Sequence, residues 1–421
     1  MGEHRHTKYY FDLLNFLRFF LCLWLLLYHY DGITGWSLMP FHGNWYLGTF
    51  ISTGRVALEC FFIISGFCIG AKYRKPIVEH KERFVPFVMR HYGKLLILTL
   101  LTLPLSIYKQ YLMELAGLEP GPTWMEAVLD GLNIRLGYGF SNTFPYNSPL
   151  WFINVLMICY VLYYLVVHYL YAKHRTWYVG CSMIIWFLGM ARLIGAGYGD
   201  LFIYNGFTAV GCSNFFLGVL LFDLYEYGRN QKKLQIKIHG CALLALIGII
   251  LYDLYASYAL VHGSTINYWG SQSVVLSVFL WTPFVWFSAV GSEVLGEASL
   301  RILSPKLKDG IHQVGKHLGR FSTSLYAWHY VIFYVLLGWK TIIMEDASAL
   351  VLHGMPLGVA HMIFNMELSA FTTLAQVFLV VCVVAFVSCY GLEPLLQKLG
   401  TRLFRKIQKN GGALWKKQPT A

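Results

Sequence analysis

Residues 17–30, LRFFLCLWLLLYHY, are apolar enough to cross a bilayer, yet they include Arg18 and, eleven positions later, His29. A helix has about 3.6 residues per turn and rises about 1.5 Å per residue, so these two side chains share a face about 16 Å apart along the axis. Helices satisfy every backbone hydrogen bond within one segment, which hydrocarbon requires. The stretch therefore predicts a membrane-spanning helix that carries a cation at one depth and an imidazole at another.

The whole chain has the composition of a membrane protein: 421 residues, of which 57% are hydrophobic and 13% charged. Soluble proteins average roughly half apolar and about a quarter charged residues. Apolar runs that are long enough to cross a hydrocarbon core of about 30 Å recur throughout. We predict an all-α polytopic membrane protein of about ten transmembrane helices, near residues 10–30, 47–70, 87–108, 149–170, 177–196, 203–223, 237–258, 270–291, 320–339 and 369–391.

The basic residues predict the orientation of these spans. With a cytoplasmic N-terminus, 25 of the 33 Lys and Arg residues fall in cytoplasmic segments, and the external segments contain only Lys109, Arg135, Arg192 and Lys340. This asymmetry fits the positive-inside rule and places both termini in the cytoplasm. Because the net charge of +12 is spread in short clusters between spans, it favours contact with membrane lipids and no nucleic-acid partner.

The chain is predicted to hold one membrane domain. Residues 1–9 form a cytoplasmic N-terminus, 10–395 the transmembrane domain and 396–421 a basic cytoplasmic tail on the anionic leaflet. All nine cysteines fall within spans and none forms a CxxC pair, so we expect no disulfide and no metal site. The longest external segment, residues 109–148, is either functional or an interfacial helix lying on the membrane.

Ionisable groups inside a bilayer are costly, and each one is a candidate functional residue. Arg18 lies about mid-membrane, where it either serves chemistry or ties its helix to a neighbour. His29 lies near the external end and is either a catalytic imidazole or an interfacial histidine. In the second span Arg55 and Glu59 stand four apart and either neutralise each other or leave Glu59 to orient His29.

Basic residues also gather at the cytoplasmic entry of the third span. Arg90 and Lys94 are one turn apart, His91 lies beside them, and Lys75 belongs to the preceding segment. Such cations either meet lipid head groups or bind the phosphates of a nucleotide-like cofactor.

Two later spans contain further polar side chains. Trp151 and Asn154 occur in SPLWFINVLMICY, and Ser324 and His329 in FSTSLYAWHY. His329 lies inside the ninth predicted span, where it is either a satisfied buried histidine or a functional one. HExxH, Walker and GxSxG motifs do not occur, so the sequence does not support a metalloprotease, an ATPase or a serine hydrolase.

In order and spacing, these segments resemble acyltransferase family 3, the bacterial integral-membrane O-acyltransferases of cell-surface sugars. The first span resembles the family pattern of an Arg followed eleven residues later by His, and the second is similar to its acidic residue before FF-x-x-SGF. The resemblance covers about residues 10–395 and includes FVMRHYGKLL (87–96), SPLWFINVLMICYVLYYL (148–165), FFLGVLLF (215–222), STSLYAWHY (322–330) and YGLEP (390–394).

The resemblance implies a transferase of the cell inner (plasma) membrane that passes an acyl group, acetyl by default, from cytoplasmic acyl-CoA to an external carbohydrate hydroxyl. In that scheme Arg90, Lys94, His91 and Lys75 bind CoA, and no cofactor is bound permanently. Arg18 positions the pantetheine or polarises the thioester, while His29 is the general base or carries the acyl group, oriented by Glu59. The acceptor side would include Trp151, Asn154, His329 and Ser324.

Three rival interpretations remain at this point. A secondary transporter or flippase would line its path with the same buried charges. A structural membrane protein would use these charges only to hold its helices together. Another membrane acyltransferase class would share a catalytic His. The identity of the glycan, the acyl chain length and a homo-oligomeric state are left open.

Overall fold

The computed structural model describes residues 11–34, 51, 54–115, 119–135, 145–171, 173–196, 205–229, 231–261, 271–298, 305–338, 370–400 and 402. These residues form helices joined by turns, without a β-strand among them, which confirms the predicted all-α class. Most of the predicted basic tail, 396–421, lies outside this set, and the proposed division into segments stays a prediction.

The described residues include eleven α-helices, which are numbered in chain order. They are α1 (Asp12–Thr34), α2 (Ala57–Val78), α3 (Phe84–Leu115), α4 (Trp124–Gly131), α5 (Trp151–Val166), α6 (Arg175–Ala196), α7 (Gly206–Arg229), α8 (Lys232–Val261), α9 (Ser271–Ala298), α10 (Pro305–Phe333) and α11 (Ala370–Val387). Short 3₁₀ turns at Gly54–Val56 and Ser148–Leu150 lead into α2 and α5, and π-helical turns extend α5, α10 and α11.

Seven segments within the described residues are long and apolar enough to cross a membrane: Asp12–Ile33, Gly54–Val78, Phe84–Glu114, Ser148–Tyr171, Arg175–Ile194, Gly206–Arg229 and Leu374–Gly400. They include seven of the ten predicted spans. The other three predicted spans fall on α8, α9 and α10, which are helical but are not among these seven. The count of ten and the orientation of the termini stay predictions.

Helices α1 and α10 lie side by side and run in the same direction. The contacts between them join Asp12 to His312 at 2.8 Å near the helix starts and the Cys22 Sγ to the Ser322 carbonyl oxygen at 3.3 Å near the middle. Because both of these pairs are separated by 300 residues, the two helices keep the same register along the seam. Residues far apart in the sequence therefore reach the same depth.

Helices α2 and α7 form the tightest crossing in the described part of the bundle. A Cβ atom on Gly66 would overlap the Phe215 carbonyl oxygen, and one on Gly218 would overlap the Ile63 carbonyl oxygen. The two glycines are thus reciprocal and let the helix backbones touch. Small residues allow this kind of approach between membrane helices, where dispersion replaces the hydrophobic driving force.

The same two helices are joined again near their ends by charged groups. Arg74 of α2, which is 6% exposed, forms ion pairs with Asp223 and Glu226 of α7. The predicted second span ends near residue 70, but α2 continues to Val78 and carries Arg74 into the bundle. A buried guanidinium needs partners of opposite charge, and α7 supplies two.

The segment that follows α3 runs back along it. The Gln110 side chain donates a hydrogen bond of 2.7 Å to the Pro120 carbonyl oxygen, whereas the Tyr92 hydroxyl donates one of 2.7 Å to the Leu132 carbonyl oxygen. Positions 92 and 110 are about 27 Å apart along a helix axis. The short helix α4 therefore descends antiparallel to α3, as a re-entrant segment does, and does not lie flat at an interface.

The α2–α7 crossing predicts that an added methyl group lowers the thermal stability at Gly218 but not at a glycine outside the crossing. Gly218→Ala should lower the thermal midpoint of the detergent-solubilised protein, because its Cβ meets a backbone carbonyl that cannot rotate away, and overpacking costs about 1–3 kcal/mol. Gly180→Ala in α6 is the control, since nothing lies within 4 Å of its Cβ position. Fluorescence-detected size-exclusion chromatography after heating measures both, and equal midpoints would contradict the predicted interlock.

Candidate active site

Two histidines meet across the α1–α10 seam. The His329 Nε2 lies 2.8 Å from the His29 Nδ1, and the ring centroids are 4.9 Å apart. His329 is fully buried, while His29 is partly exposed at the same depth. The sequence assigned these residues to separate roles, and the fold brings them into direct contact.

The backbone fixes which nitrogen of each ring carries the proton when both rings are neutral. The His329 Nδ1 lies 2.6 Å from the Tyr326 carbonyl oxygen, which only accepts, so this nitrogen is the donor. A neutral imidazole has one donor, so the His329 Nε2 accepts from the His29 Nδ1–H. The His29 Nε2 is then left with a lone pair, as a general base or nucleophile requires.

Aromatic rings and a buried lysine surround this histidine pair. The Tyr330 ring centroid lies 5.3 Å from that of His29. The Lys109 ammonium lies 5.8 Å from the Tyr330 centroid and 5.0 Å from that of Tyr334, in the range of a cation–π contact. Lys109 is only 4% exposed and also donates a hydrogen bond of 3.4 Å to the Tyr146 carbonyl oxygen.

The re-entrant segment next to this region is held by a buried charge network. Arg135, 3% exposed, donates to Glu126 at 2.5 Å and to Asp130 at 3.2 Å, and its guanidinium lies 4.6 Å from the Tyr146 ring centroid. Burial raises the pKa of Asp130 to about 6, against the lowering effects of the Tyr146 amide and Arg135. The network connects α4 to the turn that begins α5.

Arg18 lies deeper in the bundle, on the same helix as His29. It is partly exposed and makes no hydrogen bond or ion pair with any residue that the structure describes. It lies close enough to Cys60 and Cys68 of α2 and to Tyr160 of α5 to interact with them electrostatically. The alternative that Arg18 ties α1 to a neighbour through an ion pair has no support among the described residues.

The basic residues predicted to bind the acyl donor lie near the C-terminus of α2 and the N-terminus of α3. Arg90 is exposed and pairs with Glu82 at 3.0 Å, Lys94 is exposed, and Lys75 is exposed and 3.7 Å from Glu79. His91 is half-buried. Its ring centroid lies 5.0 Å from that of Tyr73 and 4.7 Å from that of Tyr160, the residue that also lies near Arg18. Aromatic rings therefore connect the basic cluster to Arg18.

The remaining predicted residues occupy four separate places. Glu59 is 7% exposed on the first turn of α2, and its proposed effect on His29 stays a prediction, since the contact at the His29 Nδ1 comes from His329. Trp151 packs against Phe62 and Phe207. Asn154 is buried in the wall of a polar pocket beside α3, whereas Ser324 donates a hydrogen bond of 2.6 Å to Glu393 after α11.

The comparisons with known proteins decide the family. A family model described as an acyltransferase domain, that of acyltransferase family 3, matches residues 11–393, which is nearly the whole chain. The chain belongs to acyltransferase family 3. Searches of curated proteins and of solved structures gave no match.

Membership of acyltransferase family 3 confirms the resemblance drawn from the motifs, and it supports a membrane acyltransferase. The matched region includes α1 through α11 and ends at Glu393, the partner of Ser324. The Ser324–Glu393 hydrogen bond thus joins the S-x-Y-x-WH segment of α10 to the acidic-Pro pair after α11.

Sequence reasoning missed Lys109, Asp130, Arg135 and Tyr330 as parts of this region. Lys109 and Arg135 were counted only as external basic residues. The signal available was weak: the segment 109–148 contains four of the chain's 21 acidic residues, namely Glu114, Glu119, Glu126 and Asp130. A re-entrant path cannot be distinguished from a surface helix by that composition.

The charge network predicts that Arg135 stabilises the re-entrant segment. Arg135→Met should lower the thermal midpoint strongly, because breaking a buried ion pair by removing one partner costs about 3–5 kcal/mol. The same loss is expected to be smaller when Asp130→Asn is added, since one uncompensated carboxylate disappears. Lys81→Met is the control, because its pair with Glu79 is exposed. Equal midpoints for Arg135→Met and wild type would exclude this role.

Proposed function

We propose that this chain is a membrane O-acyltransferase that moves an acyl group, acetyl by default, from cytoplasmic acyl-CoA to a hydroxyl of a cell-surface or lipid-linked carbohydrate on the external side. The observation that supports this most directly is the pairing of His29 with His329 in a member of acyltransferase family 3. Acyl transfer to a hydroxyl needs a base, and the pairing leaves the His29 Nε2 able to act as one.

In the proposed step the His29 Nε2 takes the proton of the acceptor hydroxyl. The alkoxide oxygen attacks the thioester carbonyl, the carbon–sulfur bond breaks, and the leaving thiolate of CoA takes the proton from the imidazolium. His329 is a positioning residue, since its Nε2 holds the His29 Nδ1–H and stabilises the positive charge on His29. An acyl-imidazole intermediate would use the same lone pair, and burst kinetics separate the two routes.

For Arg18 we propose contact with the donor's pantetheine arm. A guanidinium offers five donors, and one without a partner in a membrane interior is costly until a ligand supplies acceptors. Arg18 and His29 are about 16 Å apart along α1, which is too far for Arg18 to touch a thioester carbonyl held at His29. Positioning of the arm is therefore favoured over polarisation of the thioester.

The donor's phosphates are proposed to bind at Arg90, Lys94, His91 and Lys75. Arg90 and Lys94 are exposed near the N-terminus of α3, where charge-assisted hydrogen bonds to phosphate can form without rearrangement of the bundle. The rings of Tyr73, His91 and Tyr160 lie between this cluster and Arg18. This order corresponds to the order of the groups in a donor that carries phosphates at one end and a thioester at the other.

His29→Ala should abolish transfer of label from acetyl-CoA to glycan. Inverted membrane vesicles present the predicted cytoplasmic face to added radiolabelled acetyl-CoA and enclose the host's glycans and lipid-linked sugars, which are then extracted and counted. Loss of a general base lowers the rate by about 10²- to 10⁴-fold.

His329→Phe keeps a ring of similar shape and should lower turnover while leaving the KM for acetyl-CoA unchanged.

Wild type and both variants are compared at matched protein levels. Transfer by His29→Ala at the wild-type rate would remove His29 from the chemistry. Absence of transfer by the wild type to any acceptor would count against the O-acyltransferase proposal with this donor and favour the transporter alternative.

Arg18→Met should raise the KM for acyl-CoA by about 10- to 100-fold, the loss expected for a hydrogen bond to a charged group. Added CoA should also raise the thermal midpoint of the wild type and leave that of the variant unchanged, because a ligand stabilises only the fold that binds it. Arg175→Met, an exposed Arg on α6, is the control. An unaltered KM in Arg18→Met would show that the donor does not contact this residue.

A further inference from the structure

A second polar site lies beside the histidine pair, between α3, the end of α4 and the start of α5. It is a small pocket whose polar wall includes Thr102 and Ser106 of α3, together with Asp130, Asn133 and Asn147. The apolar part of its wall is formed by Leu103, Pro145 and Leu150. Asn154, which the family resemblance assigns to the acceptor side, also lines this pocket.

Three buried polar atoms in this wall make no hydrogen bond to any described residue: the Asp130 Oδ1, the Asn133 Nδ2 and the Asn147 Oδ1. Their residues are 6%, 1% and 2% exposed. Buried polar atoms are nearly always paired, because leaving one unpaired costs the free energy of removing it from water. Three such atoms around one pocket indicate a polar ligand group.

The pocket is rich in acceptors. The Thr102 and Ser106 hydroxyls donate to backbone carbonyls at 3.0 Å and 2.8 Å, so each of them presents only lone pairs to the pocket. The Asp130 Oδ1 and Asn147 Oδ1 also accept, and the Asn133 Nδ2 is the donor. A phosphate or carboxylate would meet these acceptors unfavourably, whereas a hydroxyl can both donate and accept.

The size of the pocket and its apolar wall further restrict which chemical group can bind there. There is room for one small polar group and not for a whole sugar ring. Because Leu103, Pro145 and Leu150 line one part, a carbon next to the hydroxyl would have apolar contacts. A hydroxymethyl arm combines such a carbon with a hydroxyl.

The pocket wall is bonded directly to the helix that carries His329. The Asn147 Nδ2 donates a hydrogen bond of 2.8 Å to the Ala327 carbonyl oxygen, and the Tyr326 hydroxyl donates to the Pro149 carbonyl oxygen. Tyr326 is also the residue whose carbonyl accepts from the His329 ring. A group in the pocket is thus positioned relative to the histidine pair.

We propose that this pocket is a recognition subsite for the acceptor, which takes an uncharged hydroxymethyl group of a sugar and so places a neighbouring hydroxyl near His29. The inference rests on the proposed function for its role in catalysis. The binding itself is a property of the pocket and can be tested without turnover.

Saturation-transfer NMR on the purified, detergent-solubilised full chain provides the test. The probes are methyl α-D-glucopyranoside, which has a hydroxymethyl group, methyl α-D-xylopyranoside, which lacks it, and glucuronate, in which it is a carboxylate. We expect transfer to the glucoside, strongest at its hydroxymethyl protons, and at least about tenfold less to the other two probes.

Ser106→Val should remove the glucoside signal by filling the pocket, whereas Ser106→Ala, which deletes one acceptor and leaves the space, should retain most of it. Asn133→Asp is a second variant that replaces the pocket's donor with an acceptor. Asn133 has a φ of 54°, a conformation that Asp also tolerates, so the backbone is expected to persist. Wild-type thermal midpoints for the variants confirm that they are folded.

A glucoside signal that survives Ser106→Val, a xyloside signal equal to that of the glucoside, or no binding to the wild type would overturn the proposal and leave a pocket that holds water only. Binding that depends on Ser106 and Asn133 would support it even if no acyl transfer were detected. Failure of the subsite and failure of the O-acyltransferase proposal are thus distinguishable.

Discussion

Hydrocarbon offers no hydrogen bonds, so every polar group in a membrane helix depends on partners elsewhere in the protein or in a ligand. The arrangement of this bundle follows from that constraint. Arg74 is paired by two carboxylates of α7, and the His29 Nδ1 is paired by His329. Arg18 and the wall of the pocket beside α3 are not satisfied in this way by described residues. These two places are where ligands are proposed to complete the polar contacts.

The sequence predicted the all-α class and the family. Those properties are local: hydrophobic length, charge asymmetry between loops, and motifs within single spans. The contact between His29 and His329 was not predicted, because the parallel packing of α1 on α10 joins positions 300 apart in the chain. No periodicity within one helix contains that information. The two histidines were consequently given separate roles.

The re-entrant segment shows a second reason why the prediction was incomplete. Trp124 and Val128 are exposed and apolar, while Asp130 and Arg135 are buried and charged. The sequence pattern of such a short helix is that of an interfacial helix, with an apolar face assumed to contact lipid and a polar face assumed to contact water. Here Asp130 and Arg135 are buried beside α3 and the segment that leads into α5, where they neutralise each other. Burial of this ion pair, which the composition of the segment does not indicate, therefore decides where the segment lies.

The reciprocal glycines of α2 and α7 also limit how the protein can move. The Phe215 carbonyl oxygen occupies the space beside Gly66 where another residue would have its Cβ atom, and the Ile63 carbonyl oxygen does the same beside Gly218. The two helices therefore cannot slide along each other without a backbone collision. Helix shear is a common way for packed domains to rearrange, and here it is blocked at the centre of the bundle. Any alternation between access from one membrane face and access from the other has to use rotation of whole units around this fixed pair, or movement of the segments packed outside it.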